Sequence, residues 1–349
     1  MFDSGVLFQI FTNNINNVAF KIGDLEVAWY GIIIFFGFVF ASLACFLKAH
    51  LWYKIPTEPI LYYLFIAIPV SIIGARVWAA VIGEINIVDF FNFRNGGLAI
   101  QGGVMAACIA ALIYFPLILK SAKYNVKTCL NDEVKVKRVS TFVYADCLLP
   151  CILVGQVIGR WGNFVNAEIF GAEATPEQLS WLKSFLPFVY EGMIINGVLR
   201  QPLFLYESFA NFIIFIGIYF GAEFISFRKA GDIGALYFIS YGVVRTIIEP
   251  LRFSQFGYTT SLVTSILMIV FGVIFILYNH LYLNKHRNQF IIFTTYKGFQ
   301  IPFKKLYYLM SSSYKKEVDR YDPNWENWGN PKPLKLKRTT EEMLYYNGY

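Results

Sequence analysis

Residues Val27 to Leu47 read VAWYGIIIFFGFVFASLACFL, a run without one charged side chain. Coiled as an α-helix it reaches about 30 Å, the thickness of a bilayer's hydrocarbon core. Comparable runs recur at 59–82, 98–119, 142–159, 203–224, 232–250 and 259–283. The reading is therefore an all-α integral membrane protein of seven transmembrane helices. Composition agrees: 56% of the 349 residues are hydrophobic and 15% are charged, against about 25% charged in soluble domains. That balance excludes a soluble globular domain, a disordered chain, a collagen-like fibre and a small disulfide scaffold.

Lys and Arg in the connections set the expected orientation. The connections after odd-numbered spans, together with the stretch beyond residue 283, hold 22 of the 30 basic residues. That side is assigned to the cytoplasm, with the amino terminus outside and the carboxyl terminus inside. Residues 1–26 mix Phe8, Ile10, Phe11, Ile15, Val18 and Phe20 with Asn and Thr, which suits an outer interfacial segment. The start lacks basic residues and a small-residue cleavage site, so the first span is expected to act as its own signal. Residues 27–283 form the seven-span domain, with a small extracytoplasmic head at about 160–202. Residues 284–349 form a basic, aromatic tail to which no role is given.

Basic residues outside the cytoplasmic group are mostly arginines: Arg76, Arg94, Arg160, Arg200, Arg245 and Arg252, beside only Lys21 and Lys183. Guanidinium forks grip phosphate and carboxylate bidentately. Either an anionic ligand is handled near the outer leaflet, or these arginines pair with nearby acids. The five cysteines lie mostly in apolar runs and read as buried thiols. Cys147 and Cys151 share a helix face but have no His or carboxylate pattern suited to zinc. No metal or organic cofactor is expected, and no histidine is placed for catalysis. Thr175-Pro176-Glu177-Gln178 predicts the start of a short helix in the head, with Trp181, Phe185, Phe188 and Tyr190 facing lipid or the spans. Asp146 needs a buried partner that the sequence does not identify.

The most informative stretch runs Gly159-Arg160-Trp161-Gly162-Asn163-Phe164-Val165-Asn166-Ala167-Glu168-Ile169-Phe170-Gly171, at the expected end of the fourth span. A charged cluster at that depth is costly unless it binds something or is internally paired. Glycines admit close backbone approach, Arg grips phosphate oxygens, and Asn amides both donate and accept. A helix exit carrying an Arg–Glu pair is the plainer alternative.

This stretch resembles the signature of prolipoprotein diacylglyceryl transferases, which move a diacylglyceryl group from phosphatidylglycerol to the lipobox cysteine of a lipoprotein precursor. Other segments fall in the order that family shows: Trp29-Tyr30-Gly31, Gly96 to Gly103, Pro202 to Glu207, and Tyr241-Gly242 followed by Arg245, Glu249 and Arg252. The resemblance covers about residues 20–283. It implies that Arg160 and Arg245 bind the headgroup and take part in catalysis, with Tyr30, Glu168 and Glu249 as further catalytic positions. Asn163, Asn166, Gly171, Gly102, Arg252, Tyr206 and Glu207 are the implied substrate-binding positions. Gln101 is a further implied catalytic position; it stands where the family usually has a His before two glycines, so a histidine base at that position is not available here.

The resemblance implies phosphatidylglycerol, the lipobox peptide and membrane lipid as partners, with no nucleic acid. It implies a bacterial plasma-membrane enzyme whose site faces the outer leaflet. The chemistry asked of the site is attack by a cysteine thiolate on the glycerol carbon next to the phosphate, with glycerol phosphate leaving. Fixed guanidiniums would stabilise both thiolate and leaving group. Two rivals are a transporter or flippase for an anionic lipid or solute, disfavoured by the lack of an internal repeat, and a non-catalytic membrane scaffold. Several carried residues have plainer readings: Tyr30 as an interfacial anchor, Tyr206 and Glu207 as helix-start residues, and Arg245 with Glu249 as a mutually neutralising pair.

Overall fold

Backbone amides in an apolar solvent must find partners within their own segment, and the chain meets that demand with helices. The computed structural model describes residues 18–281, apart from 24, 54, 84, 86–89, 92–98, 125, 131–132, 138, 225–229 and 253–257. The chain before residue 18 and the tail at 284–349 lie outside the described residues, as do Gly96, Gly97 and Leu98. Seven long helices are present among those described: α1 (Trp29–Leu47), α2 (Glu58–Val81), α3 (Ile100–Ile118), α4 (Thr141–Val165), then, after two short helices α5 (Ser180–Phe185) and α6 (Pro187–Gly192), α7 (Leu203–Tyr219), α8 (Asp232–Ile248) and α9 (Tyr258–Leu281). Three two-stranded hairpins complete the order: β1 (Val18–Ile22) with β2 (Leu25–Ala28), β3 (Val126–Leu130) with β4 (Glu133–Lys137), and β5 (Ile194–Ile195) with β6 (Val198–Leu199).

Five helices are long and apolar enough to cross a bilayer: α1 with its continuation to Tyr53, α2, α3, α4 and α9. The expected spans 203–224 and 232–250 come out shorter, as α7 and α8 with 17 residues each. Such a helix is about 25 Å long. α8 passes into a 3-10 turn at Glu249–Leu251, because Pro250 has no N–H to continue the α-helical ladder. The fourth span departs the other way: α4 continues to Val165, so Arg160, Trp161, Gly162 and Asn163 are helical rather than beyond the helix end. A charged side chain can sit in its last turns because a neighbouring helix supplies the counter-charge. The described end of the expected interfacial segment is a hairpin turning at Gly23 (φ 60°), with Lys21 and Glu26 paired across it.

The described residues fall into two compact units, one within 18–45 and 145–281 and the other within 46–144. In the second, α2 and α3 cross at Gly74 and Gly102, where a Cβ on Gly102 would lie 2.3 Å from the Gly74 carbonyl oxygen. Backbone meets backbone there, the small-residue crossing that membrane helices use in place of hydrophobic driving force. Tyr63 donates to the Ala107 carbonyl and Tyr144 to that of Pro56. Lys48, counted above with a cytoplasmic connection, is buried with its ammonium over Trp52 and Tyr53.

In the first unit Leu153 of α4 packs with Ile218 of α7, with Ala222 just after it, and with Ile233 and Tyr237 of α8. Asp146 finds its partner here: its carboxylate accepts from the N–H groups of Gly231 and Gly234 at 2.7 and 2.8 Å. It caps α8, whose first residue is preceded by Gly231 at φ 93°. The segment between α4 and α7 has its own core of Leu179, Leu182, Val189 and Met193, joined to Phe164 and Phe204 of the flanking helices. Thr175 and Gln178 do form the reciprocal capping pair, but they close a turn, and regular helix begins at Ser180. Phe188 and Tyr190 pack inward while Phe185 is 80% exposed. Cys45, Cys147 and Cys151 are buried, whereas Cys108 is exposed on α3. An apolar residue on a span need not be interior, because its outer face meets lipid.

Candidate active site

Where α4 ends and α7 begins, a chain of alternating charges is buried. Glu207, in the first turns of α7 and 1% exposed, accepts from Arg160 Nη2 at 2.5 Å and pairs with Arg245 Nη1 at 3.5 Å. Arg245 Nη2 reaches Glu249 at 2.7 Å and donates to the Ser261 hydroxyl at 2.7 Å. Arg252 Nη1 contacts both oxygens of Glu249 at 3.1 Å. The order is thus Arg160, Glu207, Arg245, Glu249, Arg252: three guanidiniums held by two carboxylates, with each carboxylate between two arginines. The pairing of Arg245 with Glu249 offered above as the plainer reading does form, as one link in this longer chain.

The local geometry follows from the sequence. Residues 245 and 249 are one turn apart, in the last turn of α8 and at its C-cap with helical φ and ψ, so their side chains share a face. Glycines let the surroundings close in. A Cβ on Gly162 would lie 2.8 Å from the Tyr30 ring, and one on Gly171 would lie 2.7 Å from Gln201 Cβ. Tyr30 is within electrostatic reach of Arg160 and Glu168. Gly171 donates to the Gln201 carbonyl and bridges to Arg252, tying the signature's end to the last arginine.

Glu168 is set apart from the chain of charges. It is exposed, its carboxylate accepts from Asn166 Nδ2 at 3.2 Å, and its N–H donates to the Asn163 carbonyl at 2.8 Å. Its neighbours Ala167 and Ile169 both take positive φ, 50° and 59°. For a β-branched residue that conformation costs about 1–3 kcal/mol, so packing holds the turn that presents Glu168. Asn163 accepts from Arg160 Nη1 at 3.4 Å. Tyr206 instead looks to the head, donating to Gln201 and stacking on Trp181.

Gln101 and Gly102 belong to the other compact unit; Gln101 is exposed in the first turn of α3 and Gly102 serves the crossing with α2. The site also contains residues not singled out above for a role. Tyr241 lies within electrostatic reach of Arg160, Glu207 and Arg245; its position four before Arg245 on one helix face was the available signal. Ser261 on α9 carried none. Among the described residues no group of three His, Cys, Asp or Glu could hold a metal ion.

Fold and site together define a class: a multi-pass, mostly helical membrane protein with a buried arginine–carboxylate chain at the ends of its helices. The family described as prolipoprotein diacylglyceryl transferase matches residues 17–278. A phosphatidylglycerol–prolipoprotein diacylglyceryl transferase of Malacoplasma penetrans is 47% identical over 97% of this chain and 99% of its own length. Proteins of the same name from Mycoplasma genitalium and Clostridium botulinum are 42% and 34% identical, covering 78% and 76% of this chain and 78% and 98% of their own. The chain belongs to the prolipoprotein diacylglyceryl transferase family.

Proposed function

We infer that this chain transfers the diacylglyceryl group of phosphatidylglycerol to the lipobox cysteine of a prolipoprotein. The observation that carries the reading is the buried chain of three arginines and two carboxylates. Its sum is one positive charge, which matches the single negative charge of a phosphodiester. The carboxylates occupy part of each guanidinium and fix its plane, leaving other N–H groups of Arg160, Arg245 and Arg252 for phosphate oxygens.

In the reaction the thiolate sulfur attacks the glycerol carbon that bears the phosphate, an S–C bond forms and the C–O bond to phosphate breaks. Glycerol phosphate leaves with the electron pair, and its growing charge is met by guanidiniums that need no reorganisation. The same positive field favours the thiolate over the thiol, whose free pKa is near 8.5. Glu207 and Glu249 are each committed to two arginines. Glu168, which pairs with no arginine among the described residues, is in this reading the carboxylate that receives the thiol proton, with Tyr30 in electrostatic reach of it.

The reading extends to the membrane. Seven spans, with α7 and α8 as the short fifth and sixth, place the amino terminus and the head outside and the 284–349 tail in the cytoplasm. The site then faces the outer leaflet, where both the lipid and an exported precursor are found. The test is incubation of purified protein with labelled phosphatidylglycerol and a lipobox peptide. Thioether-linked diacylglyceryl peptide and released glycerol phosphate are expected; lipid movement without lipidated peptide would overturn the reading.

A further inference from the structure

One helical turn beyond the ion chain, further into the spans, lies a layer of amides with unused hydrogen-bonding capacity. α4 and α7 run antiparallel here. Arg160 meets Glu207, and Ser208 donates to the Val157 carbonyl at 3.0 Å. Stepping back four residues on α4 and forward four on α7 brings Gln156 and Asn211 to the same level. Gln156 Nε2 donates to the Tyr237 hydroxyl at 3.2 Å, and Tyr237 stacks in parallel on Tyr241 with centroids 5.9 Å apart. Asn211 is 0% exposed, yet neither its Oδ1 nor its Nδ2 has a partner among the described residues, and Gln156 Oε1 is also without one.

Buried polar atoms are almost always paired, and a lone unpaired amide is costly. The cost is accepted where a ligand supplies the missing partner. Tyr237, which accepts from Gln156, belongs to the apolar cluster of Leu153, Ile218, Ala222 and Ile233. Gln156 is only partly buried and forms the open side of the amide layer. A ligand entering past Gln156 would meet a floor without charge, beneath a ceiling of arginines.

Building on the transfer reading, we propose that Asn211 Nδ2, with the second N–H of Gln156 Nε2 beside it, donates to an ester carbonyl of the diacylglyceryl donor while its phosphate lies against Arg160 and Arg245. The spacing suits it. The ester groups of a phosphatidylglycerol lie a few bonds from the phosphate, on its acyl side, and one helical turn is about 5.4 Å. The chemistry suits it as well. An ester carbonyl only accepts, and the Asn211 amide has two N–H groups to give. A carboxylate or an aliphatic side chain at 211 could not make that bond.

The proposal separates donors that a phosphate clamp alone treats alike. With the purified full-length protein and a lipobox peptide, kcat/KM is measured for phosphatidylglycerol with two ester-linked chains and for its diether analogue, matched in length and lacking both carbonyls. The wild type is expected to favour the diester about fivefold, the worth of one neutral hydrogen bond. Asn211→Leu, which removes the unpaired amide at similar volume and should leave thermal stability equal or higher, brings the diester down to the diether rate and leaves the diether within twofold. Gln156→Leu should reduce the preference in the same direction. Equal rates on both donors in the wild type would leave the amides to a resident water and overturn the seat, as would an Asn211→Leu loss shared equally by both donors. Absence of wild-type transfer from the diester would instead overturn the transfer reading itself.

Discussion

Arg245 holds three partners with two nitrogens, Glu207 through Nη1 and both Glu249 and Ser261 through Nη2. A lysine has one nitrogen and no plane, so Arg245→Lys should recover less than tenfold of the activity that Arg245→Ala loses, a loss of about a hundredfold or more on the scale of a fixed oxyanion donor. Full activity in the Lys variant, measured by peptide lipidation, would show that charge alone suffices. The Ala variants of Arg160 and Arg245 should still fold, because Glu207 then keeps one guanidinium and Glu249 keeps Arg252. Glu207→Ala is different. It strips Arg160 of its counter-charge and Arg245 of one of its two, leaving like charges facing each other, so it should raise KM for phosphatidylglycerol more than the removal of either arginine. At Gln101 the expectation is a small effect. If the arginine field activates the thiol, Gln101→His keeps activity within about tenfold and adds no limb near pH 6.5 to the rate profile. A large gain with such a limb would make a histidine base the missing part.

Single helices show what could be foreseen and what could not. The pairs Arg245–Glu249 and Arg252–Glu249 are separated by four and three residues, so helical periodicity alone brings them together. Glu207 was legible as a polar residue at a helix start, but its role as the bridge depends on contacts with residues 160 and 245 that no local pattern records. The end of α4 was misjudged for a related reason. Hydropathy stops at the first charge, whereas a helix stops where its backbone does, and Arg160 is carried inside α4 by a carboxylate on another helix. Asp146 is the converse case, a buried charge whose partners turned out to be backbone N–H groups at the start of α8. Asp146→Ala leaves the Gly231 and Gly234 donors unmet in a buried place. It should cost about 1–3 kcal/mol, read as a lower unfolding temperature in detergent, while Asp146→Asn, which can still accept, should cost less. At the crossing of α2 and α3, Gly102→Ala puts a methyl group 2.3 Å from the Gly74 carbonyl oxygen. The two helices must then separate, and the variant should lose stability whether or not Gly102 also touches substrate.

For the whole molecule, the surface and the charge distribution make one argument about placement. Phe65, Leu112 and Ile247 are 67%, 71% and 62% exposed on three different helices, an arrangement that only a lipid solvent tolerates. In the seven-span arrangement proposed above, 22 of the 30 Lys and Arg fall on the side of the odd connections and the tail, the side that the positive-inside rule assigns to the cytoplasm. The prediction is read by labelling in intact cells. Native cysteines are first replaced; at Cys45, Cys147 and Cys151, which are buried, Ala is the suitable choice because it introduces no polar atom. A cysteine at Thr175, in the segment joining α4 to α7, should react with a membrane-impermeant maleimide, and one at Ser312 should react only after the membrane is opened. The reverse pattern would place Arg160, Arg245 and Glu207 at the cytoplasmic ends of their helices. An exported precursor could not then present its cysteine to them, so the same measurement also tests whether the charge chain is where its acceptor substrate must arrive.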